Sequence, residues 1–219
     1  MFLQCLEPTD AVYQGHFGEF SLTRGDRLGV VIYRAGLGVA ASCWAIGTAL
    51  LLLFGPRAWL LQSLTGLFWG FSLGLGVSLA TIHIYLVLLH RALQFFWALG
   101  CLGAAWVMFQ TPEPLALAVY NQGLNLVAVG WLFVALTGLL FKEAFCFNRF
   151  EAKFLTALLP MLLLGHWLHL LAIPVEQGLL GSIALLLLIF AGRKFWQEVP
   201  QDIGDKSVFI HLHGANEPG

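Results

Sequence analysis

The chain has 219 residues, of which 59% are hydrophobic and only 11% are charged, and its formal net charge is -1. A soluble domain carries roughly 25% charged residues, so this composition excludes an ordinary soluble fold and predicts an all-α integral membrane protein. The near-zero net charge also argues against a nucleic-acid partner, which requires a basic face.

Residues 1–33 are predicted to form a cytoplasmic N-terminal segment. Residues 12–34 alternate apolar and polar side chains around Gly25-Asp26. This pattern indicates either a short hairpin that turns there or an amphipathic entry into the membrane. We expect Asp26 to cap the helix that follows, because its carboxylate can accept from free backbone N–H groups at a helix start.

Six apolar segments are long enough to cross a membrane, which takes about 20 residues per helix. The apolar stretch 58–89 is too long for one untilted span, so we assign its first residues to an interfacial entry near Trp59. The six spans are predicted over residues 35–54, 63–89, 92–109, 115–140, 154–173 and 177–192. Together they form a transmembrane domain over residues 34–196.

The distribution of basic residues sets the orientation of this six-helix bundle. With six spans, both tails lie on the same side of the membrane. Arg57 is then the single basic residue on the opposite side. Loops rich in Lys and Arg stay in the cytoplasm, so both tails are predicted to be cytoplasmic. The basic residues on that side are Arg24, Arg27, Arg34, Arg91, Lys142, Arg149, Lys153, Arg193, Lys194 and Lys206.

Residues 197–219 are predicted to form a cytoplasmic C-terminal tail. Within it, "SVFIHLHG" alternates and places His211 and His213 on one strand face. Two ligands make a weak metal site, so we interpret this segment as a solvated tail. Because both tails lie on the same side, they are able to pair with each other.

A repeat of small residues on the second span predicts close helix packing. Gly66, Gly70, Gly74 and Ser78 recur every four residues. Small residues at this spacing let two helix backbones approach each other, and we favour this interpretation over the lining of a conduit.

A polar cluster is predicted in the outer half of the membrane. His166 and His169 are three residues apart on one face of the fifth span. Asn121 and Asn125 are four apart at a matching depth of the fourth span. The cluster can supply hydrogen bonds between helices, or it can bind a metal, haem, pigment or ion. His83, inside the second span, is a separate candidate for an axial ligand of one haem or chlorophyll.

The charged stretch "FKEAFCFNRFEAKF" at residues 141–154 separates the fourth and fifth spans. Four of its phenylalanines, Phe141, Phe145, Phe150 and Phe154, recur at three-to-five spacing between charged residues. We predict an amphipathic helix in the cytoplasmic interface, with the aromatic rings facing the membrane and the charges facing water.

Three stretches carry a family resemblance: "VYQGHFGEFSLTRGDRLGVVIYRAGL", "LTGLLFKEAFCFNRFEAK" and "LLPMLLLGHWLHLL". With them the chain resembles, from about residue 7 to about residue 196, an uncharacterised family of integral membrane proteins found mainly in cyanobacteria and in other phototrophs. The resemblance implies a thylakoid or cytoplasmic membrane, and it supplies no activity and no catalytic residues.

Three hypotheses of function follow. No phosphate-binding loop, HExxH or GxSxG motif occurs, so the first is a non-enzymatic protein, an accessory or assembly subunit of a photosynthetic membrane complex. The second is a redox protein that binds haem, pigment or metal through His166 and His169, with His83 as a further ligand. The third is a small transporter with its path near Asn121, Asn125 and His166.

Overall fold

The computed structural model describes residues 11–84 and 86–208. A short hairpin precedes a helical bundle in this part of the chain. The elements, in chain order, are β1 (Val12–Gly15), β2 (Gly18–Ser21), α1 (Arg24–Phe54), α2 (Ala58–Thr81), α3 (Val87–Gln110), α4 (Leu115–Asn121), α5 (Gly123–Phe147), α6 (Phe150–Trp167), α7 (Ile173–Trp196) and α8 (Val199–Ile203).

The N-terminal hairpin is confirmed, but its turn lies earlier than predicted. β1 and β2 pair antiparallel with Gly15 opposite Gly18, so the turn is made by residues 16 and 17 rather than by Gly25-Asp26. Gly18 has a φ of 131°, which side-chain-bearing residues rarely adopt. Asp26 does take part in capping α1, as predicted, but it does so from within the helix and not as the N-cap.

Thr23 is the N-cap of α1, and Asp26 is the third residue of the helix. The Thr23 hydroxyl accepts from the Asp26 N–H at 3.2 Å, and the Asp26 carboxylate accepts from the Thr23 N–H at 2.8 Å. This reciprocal pair is a capping box, which satisfies two backbone donors at the helix start.

α1 and α2 pack closely through small residues, as predicted. A Cβ added to Gly74 would lie 2.6 Å from the carbonyl oxygen of Gly36, so the two backbones touch there. Ser78 donates a hydrogen bond to the Tyr33 carbonyl at 3.0 Å. Gly66 does not belong to this contact, because nothing lies within 4 Å of an added Cβ.

α2 ends at Thr81, so the predicted span 63–89 was too long at its C-terminal end. The helix end leaves the Leu79 carbonyl without its helical partner. His90 Nε2 lies 2.6 Å from that oxygen, and the Gln94 side chain donates to it at 3.2 Å. Two polar side chains of α3 therefore supply hydrogen-bond contacts to the end of α2. The largely apolar sequence gives no sign that the helix ends there.

The predicted span 115–140 is also interrupted. Gln122 has an extended backbone, which separates α4 from α5. The Asn125 side chain donates to the Ala118 carbonyl at 3.0 Å and satisfies one of the carbonyls released by the break. The fifth predicted span, 154–173, corresponds to α6, which begins earlier at Phe150 and ends at Trp167.

Five helices of the described residues are long and apolar enough to cross a membrane: α1, α2, α3, α5 and α7. α6 is not among them, because its 18 residues include Glu151, Lys153 and His166. Large apolar side chains cover the outside of the bundle, with Phe109 85% and Leu124 83% exposed. A multi-pass integral membrane protein follows from these apolar helices.

Candidate functional site

Four charged side chains that sequence reasoning did not select are buried together at one end of the bundle. They are Arg34, Glu143, Lys194 and Asp202, and we call their location the charged end. The Lys194 side chain of α7 is 0% exposed. Its ammonium lies 2.5 Å from Glu143 Oε2 and 2.6 Å from Asp202 Oδ1.

The remaining contacts tie α1 to the same network. Arg34 Nε donates to Asp202 at 2.8 Å, and Arg34 Nη2 donates to the Glu198 carbonyl at 3.2 Å. The Tyr33 hydroxyl donates to Glu143 at 3.1 Å. The ion pairs therefore join α1, α5, α7 and α8, and they give each buried carboxylate at least two donors, as buried charges require.

A second, more exposed group of ion pairs lies beside the first. Arg149 and Arg193 approach the Glu151 carboxylate at 3.6 and 3.3 Å. Arg149 also donates to the Gln197 side chain at 2.7 Å, and Gln197 donates to Asp202 at 3.0 Å. Gln197 therefore connects the two groups of ion pairs.

These contacts overturn the prediction of a separate interfacial helix over residues 141–154. α5 continues to Phe147 and ends at Asn148, whose φ of 51° is left-handed, and α6 starts directly afterwards. The prediction that the charges face water also fails for the two acidic residues, since Glu143 is 0% and Glu151 5% exposed. Glu143 turns inward because its cationic partner on α7, Lys194, is itself fully buried, and the Phe145 ring turns outward.

The N-terminal hairpin meets residues 205–207 at the charged end, so the described parts of the two predicted tails pair, as the sequence suggested. The backbone N–H of His16 donates to Asp205 at 2.6 Å, and that of Phe17 donates to the Ser207 hydroxyl at 3.0 Å. The His16 N–H holds the pKa of the Asp205 carboxyl below its usual range, with further help from Ser207. His211 and His213 lie outside the described residues.

The opposite end of the bundle carries the predicted His166. We call the cluster of Tyr120, His166 and Glu176 the outer cluster. His166 Nδ1 lies 2.7 Å from Glu176 Oε1, and Nε2 lies 3.0 Å from the Tyr120 carbonyl oxygen. Tyr120 donates its own hydroxyl to Glu176 at 3.2 Å.

This geometry bears directly on ligand binding by His166. Both ring nitrogens face an oxygen at hydrogen-bond distance, so neither is directed into open space. These contacts join the end of α4 and the start of α7 to α6.

The structure does not bring the other predicted residues to this cluster. His169 follows the end of α6, is exposed and has a φ of 57°, so it does not share a helix face with His166. Asn125 turns back to α4, as described above, and Asn121 is exposed. Within the described part of the chain, no group of three His, Cys, Asp or Glu side chains is arranged to hold a metal.

His83 lies in the turn between α2 and α3, not inside a span. Its Cε1 atom is 3.5 Å from the position that a Cβ on Gly29 of α1 would take. Burial lowers the pKa of the imidazole, because desolvation penalises its charged form. The approach to Gly29 places His83 near the N-terminal half of α1, while His166 is at the opposite end of the bundle.

Sequence reasoning missed the charged end for a physical reason. Lys194 was counted as a loop cation next to Arg193, and Glu143 as part of an interfacial helix. The only local signal was that Glu143 sits within an apolar helical repeat, where an ionisable group is costly and implies a partner. The sequence does not say which cation is that partner.

The comparisons with known proteins agree with this fold. A family model described as "Uncharacterized integral membrane protein (DUF2301)" matches residues 77–211. No curated protein and no solved structure matches the chain. The family match covers more than half of the chain and includes α3 to α8. The chain therefore belongs to this family of integral membrane proteins.

Proposed function

We propose that the protein is a non-enzymatic membrane subunit that crosses the membrane six times and serves as an accessory or assembly subunit of a photosynthetic membrane complex. The proposal of a non-enzymatic role rests on the pairing of the buried charges. The ammonium and carboxylate groups of the charged end are bound to each other, so they serve the fold rather than a substrate.

The sixth crossing in this proposal is α6. At one end, Glu151 pairs with Arg193, and at the other end, His166 contacts Tyr120 and Glu176. Eighteen helical residues cover about 27 Å, which is close to the roughly 30 Å of a bilayer core. Its length and its contacts at both ends of the bundle support a full crossing despite its ionisable residues.

The cytoplasmic side in this proposal is the charged end. Lys142, Arg149 and Lys153 lie at the junction of α5 and α6 there, and Arg193 and Lys194 lie in the last turn of α7. Positive residues that flank membrane helices favour the cytoplasm. The N-terminal hairpin and residues 205–207 then lie in the cytoplasm, in contact with each other.

The photosynthetic setting rests on the resemblance to a membrane protein family found mainly in cyanobacteria. A thylakoid or cytoplasmic membrane would then house the protein. The exposed apolar surface described above supplies area for lipid and for neighbouring subunits. The association with a photosynthetic complex must be tested by an experiment in native membranes.

The test is to purify the tagged full chain from its native membranes in mild detergent and separate the product on a native gel. We expect it to migrate with a photosystem or an electron-transfer complex. Migration alone, or with complexes unrelated to photosynthesis, would reject the photosynthetic role. A tagged membrane protein of similar size from the same cells controls for unspecific association.

The same preparation separates this proposal from the alternatives. A visible absorption band in stoichiometric amount, lost in His166→Ala, would favour the haem or pigment hypothesis. Solute or proton flux into vesicles that contain the protein, lost in the same variant, would favour the transporter hypothesis. We expect neither, because His166 is already held by two partners.

A further inference from the structure

A long apolar groove runs along the outside of the bundle between α5 and α6, with α3 at one edge. We call it the α5–α6 groove. Its volume is about 650 Å³, which is in the size range of pockets that bind small molecules. Its walls include Trp131, Val134, Phe141, Pro160, Leu164 and Trp167.

The groove is deep because small residues line it. Gly130 has open space where a Cβ would be, so its missing side chain forms part of the recess. The hydroxyls of Thr137 and Thr156, which also line the groove, donate to backbone carbonyls of their own helices at 2.7 and 2.8 Å. The walls therefore offer apolar contact and no free polar group from these threonines.

The groove follows the direction of the helices. On α5 it extends from Leu126 to Phe141, which corresponds to about 22 Å of helix. An apolar groove of this length, parallel to the membrane-crossing helices, fits an extended hydrocarbon chain better than a compact molecule.

The side chain of Lys153 lies beyond one end of the groove. Thr156 and Pro160 line the groove from α6, and Lys153 lies three and seven residues before them, on the same helix face. Lys153 is exposed. Helical side chains tilt toward the helix N-terminus. The Lys153 ammonium accordingly contacts Asn148 at the junction of α5 and α6, away from the apolar part of the groove.

Lys153 differs from the other described lysines in its contacts. The ammonium groups of Lys142, Lys194 and Lys206 each pair with a carboxylate. Lys153 instead donates to the Asn148 amide oxygen and packs over the Phe150 ring at 5.5 Å. No carboxylate of residues 11–84 and 86–208 forms an ion pair with it, so its charge is available to an external anion.

We propose that the α5–α6 groove binds an anionic membrane phospholipid, with one acyl chain in the groove and the phosphate at Lys153. Apolar walls match the chain, and the uncompensated ammonium at the surface level matches the phosphate. This site is independent of any photosynthetic partner, since it is defined within one copy of the chain.

A second copy of the protein fits the groove less well than a lipid. Two copies share one orientation in a membrane, so a symmetric dimer across this groove would place the two Lys153 residues at the same depth. Like charges brought together at an interface are unfavourable. The anionic lipid supplies the opposite charge instead.

The experiment is native mass spectrometry of the delipidated protein in detergent, titrated with phosphatidylglycerol or phosphatidylcholine that carry the same acyl chains. We expect one phosphatidylglycerol adduct to form at about fivefold lower lipid concentration than the phosphatidylcholine adduct, as one basic residue near the membrane surface contributes. Equal binding of the two lipids by the unmodified protein would overturn the assignment of the phosphate to Lys153.

Two substitutions test the two halves of the site. Gly130→Phe fills the groove and should reduce binding of both lipids at least tenfold, whereas Lys153→Gln should lower phosphatidylglycerol binding about fivefold, to the phosphatidylcholine level. Gly66→Phe and Arg24→Gln are the matched controls, since both positions are exposed on helices away from the groove, and both should bind as the unmodified protein does.

Folding of each variant is checked by its helical circular dichroism. Val134→Trp replaces Gly130→Phe if the latter does not fold, because Val134 lines the groove and is 44% exposed. Unchanged lipid binding by a folded groove-filling variant would overturn the proposal. So would a protein partner or a dimer that is lost on filling the groove while no lipid adduct forms.

Discussion

Lys194 and Asp202 lie eight residues apart on consecutive helices, and their charged atoms meet at 2.6 Å with both side chains at most 3% exposed. Glu143 of α5 binds the same ammonium from the other side. One cation thus holds two carboxylates that would otherwise repel each other in an environment of low dielectric.

Removal of that cation should destabilise the protein strongly. We expect Lys194→Met to lower the free energy of unfolding by about 3–5 kcal/mol, because it leaves two buried carboxylates without their shared partner. The loss is measured by thermal or denaturant unfolding in detergent.

Lys206→Met is the matched control for this prediction. Lys206 also pairs with an aspartate, Asp26, at 2.7 Å, but its side chain is 24% exposed. Exposed ion pairs contribute about 0–1 kcal/mol. Equal losses for the two variants would show that the burial of Lys194 has no energetic consequence.

The contact between α1 and α2 should not tolerate a side chain at Gly74. We expect Gly74→Leu to cost about 1–3 kcal/mol or more through overpacking, because its Cβ would meet backbone atoms of Gly36 and Ala40 at 2.6 and 2.8 Å. Gly66→Leu, in open space on the same helix, should leave the unfolding midpoint unchanged. A similar fall for both variants would contradict the observed helix contact.

The outer cluster should depend on His166 and not on His169. We expect His166→Ala to lower the free energy of unfolding by about 1–3 kcal/mol, because it leaves Glu176 and the Tyr120 carbonyl without their imidazole partner. His169→Asn is the control, since asparagine tolerates the left-handed backbone at this position. An equal loss of stability in the His169 variant would contradict this expectation and would support the predicted pairing of His166 with His169.

The contact between the two chain ends should weaken in acid. Its Asp205 carboxyl has a folded-state pKa below the unfolded value of about 3.9. The charged form is therefore favoured by the fold, and the contact is complete above the unfolded pKa and lost as pH falls through the folded pKa. The measurement is the NMR shift of the His16 amide proton against pH.

The Asp205→Asn variant should abolish that titration. The amide of Gly204, which donates to the Pro200 carbonyl at 2.9 Å, serves as an internal reference. A transition of the His16 amide proton that is absent in Asp205→Asn, yet has its midpoint above the unfolded value of the aspartate, would reverse the sign of the effect and contradict the observed hydrogen bond.

Apolar length predicted most of the bundle but not its interruptions. The spans at α1, α3 and α7 follow from long apolar segments. The small-residue repeat predicted a close-packing face on α2, and the structure identifies its partner as α1. The end of α2 at Thr81 escaped notice, because the following residues are apolar too and the turn is completed by His90 and Gln94 of α3.

The charged end could not be predicted from the sequence in the same way. The partners Arg34 and Asp202 are 168 residues apart, and no periodicity links positions at that distance. The prediction that the two chain ends meet rested only on the count of spans. The structure identifies the groups that form this contact, which are two backbone N–H groups of the hairpin and the side chains of Asp205 and Ser207.

The long separation of Arg34 and Asp202 has a consequence for biosynthesis. At roughly 5–20 residues per second, the ribosome needs about 8–34 s to reach Asp202 after it has added Arg34. During that interval α1 carries a guanidinium whose eventual counter-ion does not yet exist. We therefore expect the arginine to stay hydrated until Asp202 has been added, because an unpaired buried guanidinium is costly.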